Sequence, residues 1–404
     1  MGHFHDGREW FFRHRLGLFI HWGLYAIHGI HEQEQQRFNV PADEYRKLID
    51  RFTPGKFNPD SWLDLMQENG FEYLVFTTKH HDGFCLWPSH ETAFHVGNTP
   101  FRRDVVGELA EACRRRGIPL EFYYSIVDWN QENYPNVGRH HEIVTDSTHH
   151  NWNLYLEFLK RQITELCTNY GTIHGIWWDM NVPEARAPEV HELIRRLQPA
   201  AVINNRGFAP GDYSTPERDF DPESANPDSD AKRPVEACQS AGVNSWGFRN
   251  EEDYCSIRYF LNRIDRTLAA GGNYLLNVGP DADGVIPPPA VEILRGVGRW
   301  FRKVREALEA EPAPGLLENQ RLPATRQGNI LYIHCPEVLE SSTLSLRPLE
   351  RAPRRVTLLN TDEAIDWTLE PIVYDRGKGA ALRLRNIPVN QLHSTVPIFK
   401  LEFD

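Results

Sequence analysis

The sequence predicts an α/β fold: a TIM-like (β/α) barrel, followed by a small C-terminal antiparallel β-sandwich domain. Short apolar runs alternate with stretches of helical periodicity over residues 1–310, which is the pattern of parallel βα units. Polar and aromatic residues recur where these runs end, and barrel enzymes carry their functional residues at that end of the strands. After a Pro-rich segment at 309–315 the pattern changes to short alternating stretches, which are typical of antiparallel strands.

Seven strands are predicted in the barrel, at 16–23, 73–81, 120–125, 173–179, 201–207, 235–239 and 274–279. Helices are predicted between and after them, at 61–69, 104–116, 151–170, 188–197, 254–270 and 289–308. A count of seven instead of eight means either an irregular barrel or a strand that the pattern does not reveal. We place the domain boundary in the Pro-rich segment, with a barrel domain at 1–310 and a β-sandwich domain at 311–404.

Composition argues against several classes of function. The formal net charge of −12 disfavours a phosphate-binding surface, so nucleic acid is not an expected partner. No run of 18 apolar residues indicates a membrane span. The six cysteines form no C-x-x-C pair, which fits free thiols in a reducing compartment. The N-terminal residues lack the pattern of a secretory signal peptide, and we therefore expect a cytoplasmic protein.

The most informative segment is 173–179, which reads Ile-His-Gly-Ile-Trp-Trp-Asp and ends a predicted strand on an acid. Asp179 would then emerge at the carboxyl end of a barrel strand, where the chemistry of such enzymes occurs. Aromatic faces pack on the C–H face of a pyranose, and a carboxylate can attack an anomeric carbon. We predict that Asp179 is a nucleophile; the alternative is that it only caps the following helix.

A second carboxyl group about 5 to 5.5 Å from the nucleophile is required for glycoside hydrolysis with retention. Glu217 lies in the polar loop after the fifth predicted strand, Glu223 lies further along that loop, and Glu236 begins the sixth strand. We favour Glu217 as the acid/base and keep Glu236 as the alternative. Glu217 could instead be an ordinary solvated loop acid.

A metal site is the main alternative for the polar strand ends, because His21, His80, His81 and Asp82 are all possible ligands. These four residues lack the H-x-H spacing of such sites, and adjacent strand residues point to opposite faces unless a bulge intervenes. We therefore predict neither a metal nor another cofactor. Neutral imidazoles that hydrogen-bond to sugar hydroxyls explain these histidines better.

The strand-end motifs together resemble those of the α-L-fucosidases of glycoside hydrolase family 29. They are Phe19-Ile20-His21-Trp22-Gly23, Lys79-His80-His81-Asp82-Gly83-Phe84, Tyr123-Tyr124-Ser125, Trp177-Trp178-Asp179, Ile203-Asn204-Asn205-Arg206-Gly207 and Ser245-Trp246-Gly247. The resemblance covers residues 10–310, and the two His-containing motifs are highly specific. It implies a retaining exo-glycosidase that removes terminal α-L-fucose from oligosaccharides or glycoconjugates through a covalent glycosyl-enzyme, without a cofactor.

The resemblance also implies residue roles. Asp179 matches the nucleophile, Glu217 matches the loop glutamate that many members use as acid/base, and Glu236 matches the alternative in others. The matches to residues that bind the sugar or hold the nucleophile are His21, Glu32, His80, His81, Tyr124, Trp177, Arg206 and Trp246. Gln33 follows Glu32 where the family often has a tryptophan, so the sugar specificity is open.

Three other functions stay open at this point. The same barrel could act on a related sugar such as a β-D-galactoside, which differs from L-fucose in carrying a hydroxymethyl group instead of a methyl group. The chain could also be a metal-dependent barrel hydrolase or a non-catalytic carbohydrate-binding protein. The linkage preference and the oligomeric state leave no signal in the sequence.

Overall fold

The computed structural model describes residues 3–134, 150–180, 187–218, 233–319, 321–349, 351–371 and 380–404. These residues pack into two compact units. The first is drawn from 3–218, 233–254 and 275–292, and the second from 255–274 and 293–404. The boundary predicted near residue 310 falls within the range of the second unit and stays a prediction.

A seven-stranded sheet forms the curled barrel, in the strand order β5-β4-β3-β2-β1-β7-β6. The strands are β1 (Leu16–Ile20), β2 (Tyr73–Lys79), β3 (Leu120–Ser125), β4 (Gly175–Asp179), β5 (Val202–Ile203), β6 (Glu236–Ser240) and β7 (Asn273–Val278). The pairings from β1 to β5 are parallel. Residues of β1, β2, β3 and β7 are buried on both faces, as expected for parallel strands covered by helices. The predicted irregular α/β barrel is thereby confirmed.

Nine α-helices lie in the described part of the chain. They are α1 (Trp10–Arg13), α2 (Glu34–Arg37), α3 (Ala42–Arg46), α4 (Pro59–Glu68), α5 (Val105–Arg116), α6 (Trp152–Asn169), α7 (Pro188–Leu197), α8 (Ile257–Ala269) and α9 (Pro288–Glu309). Side-chain caps explain several starts: Asp104 accepts a hydrogen bond from the amide of Gly107 in α5, and Asn151 and Ser256 cap α6 and α8. Within the described ranges no helix is long and apolar enough to cross a membrane.

The C-terminal strands are antiparallel, as predicted. They are β8 (Glu311–Pro312), β9 (Ala324–Gln327), β10 (Ile330–His334), β11 (Leu344–Leu346), β12 (Arg355–Leu358), β13 (Glu363–Ala364), β14 (Asp366–Pro371), β15 (Ala380–Arg385) and β16 (Ile398–Glu402). They form a six-stranded sheet, β13-β12-β16-β10-β9-β8, and a three-stranded sheet, β11-β15-β14. Both sheets supply residues to one apolar core, with Ile333 and Phe399 from the larger sheet and Leu346 and Leu382 from the smaller one.

Candidate active site

The described polar cluster lies at the carboxyl ends of the barrel strands. Because the strands are parallel, the residues that follow them meet at one end of the sheet. The side chains that come together there are His21 after β1, His80 and His81 after β2, Tyr123 near the end of β3, Asp179 at the end of β4, and Arg206 after β5. This is the convergence that the sequence predicted.

Asp179 is held by three donors. Its Oδ1 accepts hydrogen bonds from Nη1 of Arg206 at 3.0 Å and from the amide of Met180 at 2.9 Å. Its Oδ2 accepts one from the hydroxyl of Tyr123 at 2.8 Å, and Nε2 of His81 lies 3.8 Å from the same oxygen. Burial alone would raise the pKa of this carboxyl group, but the charges of Arg206 and His81 and the bond from Tyr123 bring it below 3.8. Asp179 is therefore an ionised, fixed carboxylate at neutral pH.

Arg206 links the two candidate catalytic acids. Its Nη1 donates to Asp179 and also to Oε1 of Glu217. Two oxygens bonded to one nitrogen can be no more than about 6 Å apart, since each N–H···O bond is about 3 Å long. That limit is compatible with the carboxyl spacing of retaining glycosidases.

Two contacts with Thr215 hold the Arg206 guanidinium in place. Nε donates to Oγ1 of Thr215 at 2.7 Å and Nη2 donates to its carbonyl oxygen at 2.6 Å. The loop that carries Glu217 is itself tied to β6, because Glu217 forms an isolated parallel bridge with Cys238. The segment from Thr215 to Glu217 therefore holds both the Arg206 guanidinium and the Glu217 carboxyl group close to the barrel.

The turn after β2 explains why both histidines reach the site. The register between β2 and β3 shifts between Thr77 and Lys79, so His80 and His81 lie beyond the regular alternation of the strand, and their rings are 4.0 Å apart. We had expected them to face opposite ways unless a bulge intervened. Gly83 closes the turn with φ +75°, and a Cβ at this position would lie 2.1 Å from Oδ1 of Asp128.

His21, His80 and His81 are buried, and burial keeps His21 and His80 uncharged at neutral pH. Nδ1 of His21 bonds to Oδ1 of Asn277 at 2.7 Å, and Nδ1 of His81 bonds to Oγ of Ser125 at 2.7 Å. Burial lowers the pKa of His21 to about 4 and that of His80 well below 6.5. Among the described residues, buried Nδ1 of His80 has no hydrogen-bond partner. A neutral imidazole with an unused nitrogen suits a sugar hydroxyl.

Glu32 supports the loop that carries Trp246. Its Oε2 accepts from the hydroxyl of Ser245, from the amide of Trp246 at 3.0 Å and from the amide of Gly247 at 3.3 Å. The indole of Trp246 then lies 5.4 Å from the ring of His21. Glu32 is only 2% exposed, so its visible role is to join the segment after β1 to the segment after β6.

Trp177 lies beneath the polar cluster. Its ring is 4.7 Å below the Arg206 guanidinium and stacks 5.7 Å from the ring of Tyr123. It is 2% exposed, so it supports these two side chains more than it lines an open pocket.

Tyr124 does not fit the role predicted for it. It lies on the opposite face of β3, where its hydroxyl donates to Oε1 of Gln162 at 2.6 Å and its ring lies 4.2 Å from the ammonium group of Lys79. Side chains alternate along a strand, so its neighbour Tyr123 contacts Asp179 instead. The pairing of Ser125 with Asp179 identifies the correct face, because Tyr123 is two residues from Ser125.

Glu236 does not fit the role of acid/base either. Burial raises its pKa to about 7, which would suit a general acid, but the residue has no exposed surface. Its two oxygens already accept hydrogen bonds from the hydroxyl of Tyr73 at 2.6 Å and from Nε1 of Trp177 at 2.9 Å. It begins β6 and therefore lies inside the barrel, away from the carboxyl ends. Glu223, the third candidate, lies outside the described residues.

Asp82 and the cysteines complete the list of possible ligands. Oδ2 of Asp82 accepts from the hydroxyl of Tyr45 at 2.8 Å, and its Oδ1 accepts from the amide of Phe84 at 3.1 Å. All six cysteines are free thiols. In the parts of the chain that the structure describes, no group of three His, Cys, Asp or Glu side chains is arranged to hold a metal ion.

Several known proteins with a similar sequence are alpha-L-fucosidases. A family model described as alpha-L-fucosidase matches residues 4–306. The tissue alpha-L-fucosidase of Bos taurus is 30% identical over 415 residues, covering 94% of this chain and 85% of that protein. The tissue alpha-L-fucosidase of Homo sapiens is 28% identical over 422 residues, with 94% and 85% covered.

Solved structures show the same relationship. The alpha-L-fucosidase isoenzyme 1 from Paenibacillus thiaminolyticus superimposes with a TM-score of 0.85 at 31% identity, covering 99% of this chain and 100% of that one. A GH29 alpha-L-fucosidase from Bacteroides thetaiotaomicron, trapped as a covalent intermediate in complex with 2-fluoro-fucosyl fluoride, gives a TM-score of 0.82 at 30% identity, with 100% and 97% covered.

Proposed function

The chain belongs to the α-L-fucosidase family, glycoside hydrolase family 29, and we propose that Asp179 and Glu217 are the two catalytic carboxyl groups of this retaining α-L-fucosidase. One observation carries the assignment. Both acids bond to the same nitrogen of Arg206, which keeps them close enough for a double displacement.

In the first step Asp179 attacks the anomeric carbon of the fucoside. Its carboxylate oxygen forms a bond to that carbon while the bond to the leaving oxygen breaks, and Glu217 gives its proton to that oxygen. Arg206 and Tyr123 keep the carboxylate ionised and aimed. Glu217 must leave its contact with Arg206 to do this, and its 39% side-chain exposure leaves it room to turn toward the leaving group.

In the second step Glu217, now ionised, removes a proton from a water molecule. The water oxygen attacks the anomeric carbon from the face that the leaving group occupied, and the bond to Asp179 breaks. Two inversions give net retention. Because the leaving group departs to solvent and the water comes from solvent, the acid/base should be the more exposed of the two acids. The side-chain exposures of 39% for Glu217 and 17% for Asp179 agree with this order.

We propose terminal α-L-fucose on oligosaccharides or glycoconjugates as the substrate. The imidazoles of His21 and His80 are neutral and His81 lies beside them, so these rings offer nitrogens to a sugar rich in hydroxyls. Nδ1 of His80 has no partner in the described residues. The partly exposed indole of Trp246 offers an apolar wall that would suit the methyl group on C5. Glu32 acts indirectly, by holding the Trp246 loop.

A reducing compartment such as the cytoplasm is the proposed location. Six unpaired thiols, five of them buried, support it, since disulfides are common only in oxidising compartments. Fractionation of the cells that produce the protein, with a cytoplasmic marker enzyme as reference, tests this proposal. Recovery with a secreted fraction would contradict it.

The assignment is tested with p-nitrophenyl α-L-fucoside and a p-nitrophenyl β-D-galactoside control. Asp179→Ala should abolish turnover of the fucoside while circular dichroism stays unchanged. Glu217→Ala should slow fucosides with poor leaving groups far more than the aryl fucoside, and azide should restore the latter by replacing the missing base. Near-normal activity of Asp179→Ala would refute the nucleophile, and uniform loss in Glu217→Ala without azide rescue would refute the acid/base.

A further inference from the structure

Two buried carboxyl groups lie inside the barrel, and the proposed mechanism uses neither of them. Glu236 on β6 and Glu121 on β3 are both 0% exposed. An ionisable group in this position costs stability unless it is hydrogen-bonded, so each needs a reason to be there. Their hydrogen-bond partners differ, and that difference indicates a role for one of them.

Glu236 is connected to the nucleophile through three consecutive contacts. Trp177 donates its Nε1–H to Oε1 of Glu236 at 2.9 Å, and this is the single hydrogen bond an indole can donate. The face of the same indole lies 4.7 Å from the Arg206 guanidinium. Arg206 in turn bonds to Asp179 at 3.0 Å and to Glu217.

The indole also supports the other donor to the nucleophile. Its ring stacks on Tyr123 at 5.7 Å with an angle of 21° between the planes, and Tyr123 donates to Oδ2 of Asp179. The orientation of Trp177 therefore affects both oxygens of Asp179. Within this packing, the hydrogen bond to Glu236 fixes the direction of the indole N–H.

We propose that Glu236 is a positioning residue for the fucosidase reaction, which holds Trp177 and thereby sets Arg206, Tyr123 and the nucleophile. This inference rests on the proposed role of Asp179. Small displacements of a nucleophile cost a large part of the rate, because the reacting atoms must be aligned before the bond forms. Glu236 acts on kcat without touching the substrate.

Glu121 is the matched control within the same barrel. Its Oε2 accepts from the hydroxyl of Tyr213 at 3.0 Å, and the ring of Tyr213 packs on Phe11 at 4.6 Å. Among the described residues its Oε1 has no hydrogen-bond partner. Its burial equals that of Glu236, and the two carboxyl groups are close enough for the charge of one to disfavour the charge of the other, but none of its hydrogen bonds within the described residues reaches Trp177 or Arg206. If the loss of any buried carboxyl group in the barrel lowers kcat, the substitution of Glu121 should lower kcat as much as the substitution of Glu236.

The test compares Glu236→Leu, Glu236→Gln and Glu121→Leu in the full-length protein, with kcat and KM measured on p-nitrophenyl α-L-fucoside. We expect Glu236→Leu to lower kcat by about 10- to 100-fold with KM changed by less than about threefold, as a misplaced nucleophile would. Glu236→Gln keeps an acceptor for the indole and should recover most of this loss. Glu121→Leu should stay within about twofold of the wild type.

Two further measurements keep the proposal falsifiable if a leucine variant folds poorly. Trp177→Phe keeps the aromatic face but lacks the N–H group, so it should lower kcat about as much as Glu236→Leu does, and adding Glu236→Leu to it should cost little more. Additive losses, or equal losses in Glu121→Leu and Glu236→Leu, would overturn the positioning role. Azide rescue of Glu236→Leu would instead make Glu236 the acid/base and would refute Glu217 as well. A fully active Asp179→Ala would refute the proposed function itself.

Discussion

Replacing Arg206 with glutamine tests the electrostatic basis of the site most directly. The guanidinium of Arg206 donates to Oδ1 of Asp179 at 3.0 Å and its side chain is only 20% exposed, so its charge is weakly screened. A hydrogen bond to a charged group contributes about 1.5–3 kcal/mol. If that contribution is lost in the transition state, kcat/KM should fall about 10- to 150-fold, since about 1.4 kcal/mol is a factor of ten.

The same substitution should move the acidic limb of the pH profile. Burial opposes ionisation of Asp179, and the charge of Arg206 is the largest effect that lowers its pKa below 3.8. Without that charge the pKa must rise. Because only the ionised carboxylate attacks, activity should then be lost at a higher pH than in the wild type. The acidic limb of the profile should therefore shift toward neutral pH in Arg206→Gln.

The assay is kcat/KM for p-nitrophenyl α-L-fucoside across the acidic range, with two control variants. Arg206→Lys keeps a positive charge but loses the planar fork, so its kcat should fall while its acidic limb stays closer to that of the wild type. Arg116→Gln removes a surface arginine paired with Asp60 and Asp64 and should change neither quantity. An acidic limb in Arg206→Gln that coincides with the wild type would refute the reasoning.

Two further predictions concern the faces of β3 and a buried histidine. Tyr123→Phe should lower kcat about tenfold because Asp179 loses a hydrogen-bond donor. Tyr124→Phe breaks only the bond to Gln162 and should leave kcat near the wild-type value. A larger loss in Tyr124→Phe than in Tyr123→Phe would contradict the assignment of the two faces of β3. Burial lowers the pKa of His191 from 6.5 to about 4, so the unfolded chain takes up the proton first as the pH falls between these values. Relative to His191→Gln, the wild type should lose up to about 1.4 kcal/mol of unfolding free energy for each unit by which the pH falls in that window. Urea unfolding at several pH values measures this loss. If the difference in unfolding free energy between the two proteins does not change with pH, the lowered pKa of His191 is contradicted.

Two residues predicted for the site lie on elements that were themselves predicted, but the direction or depth of their side chains does not suit the predicted role. The third and sixth strands were expected at 120–125 and 235–239, and the structure has them at Leu120–Ser125 and Glu236–Ser240. Tyr124 was nevertheless assigned to the wrong face, because the face of a strand residue follows from its pairing with the next strand. Glu236 was kept as the alternative acid/base, but it begins β6, and the start of a parallel strand is the end opposite to the site.

Local information was enough to predict the apolar runs and the residues that end each strand, because periodicity and turn chemistry act over a few neighbouring residues. It therefore predicted that Asp179, the three histidines and Arg206 lie at the ends of strands. These residues also carry the resemblance to the fucosidase family. The shared bonds of Arg206 with Asp179 and Glu217, the irregularity that places His80 beside His81, and the contact from Glu236 through Trp177 join residues far apart in the chain. Only the tertiary structure decided these contacts, because they depend on the register between strands and on the path by which each loop returns to the barrel.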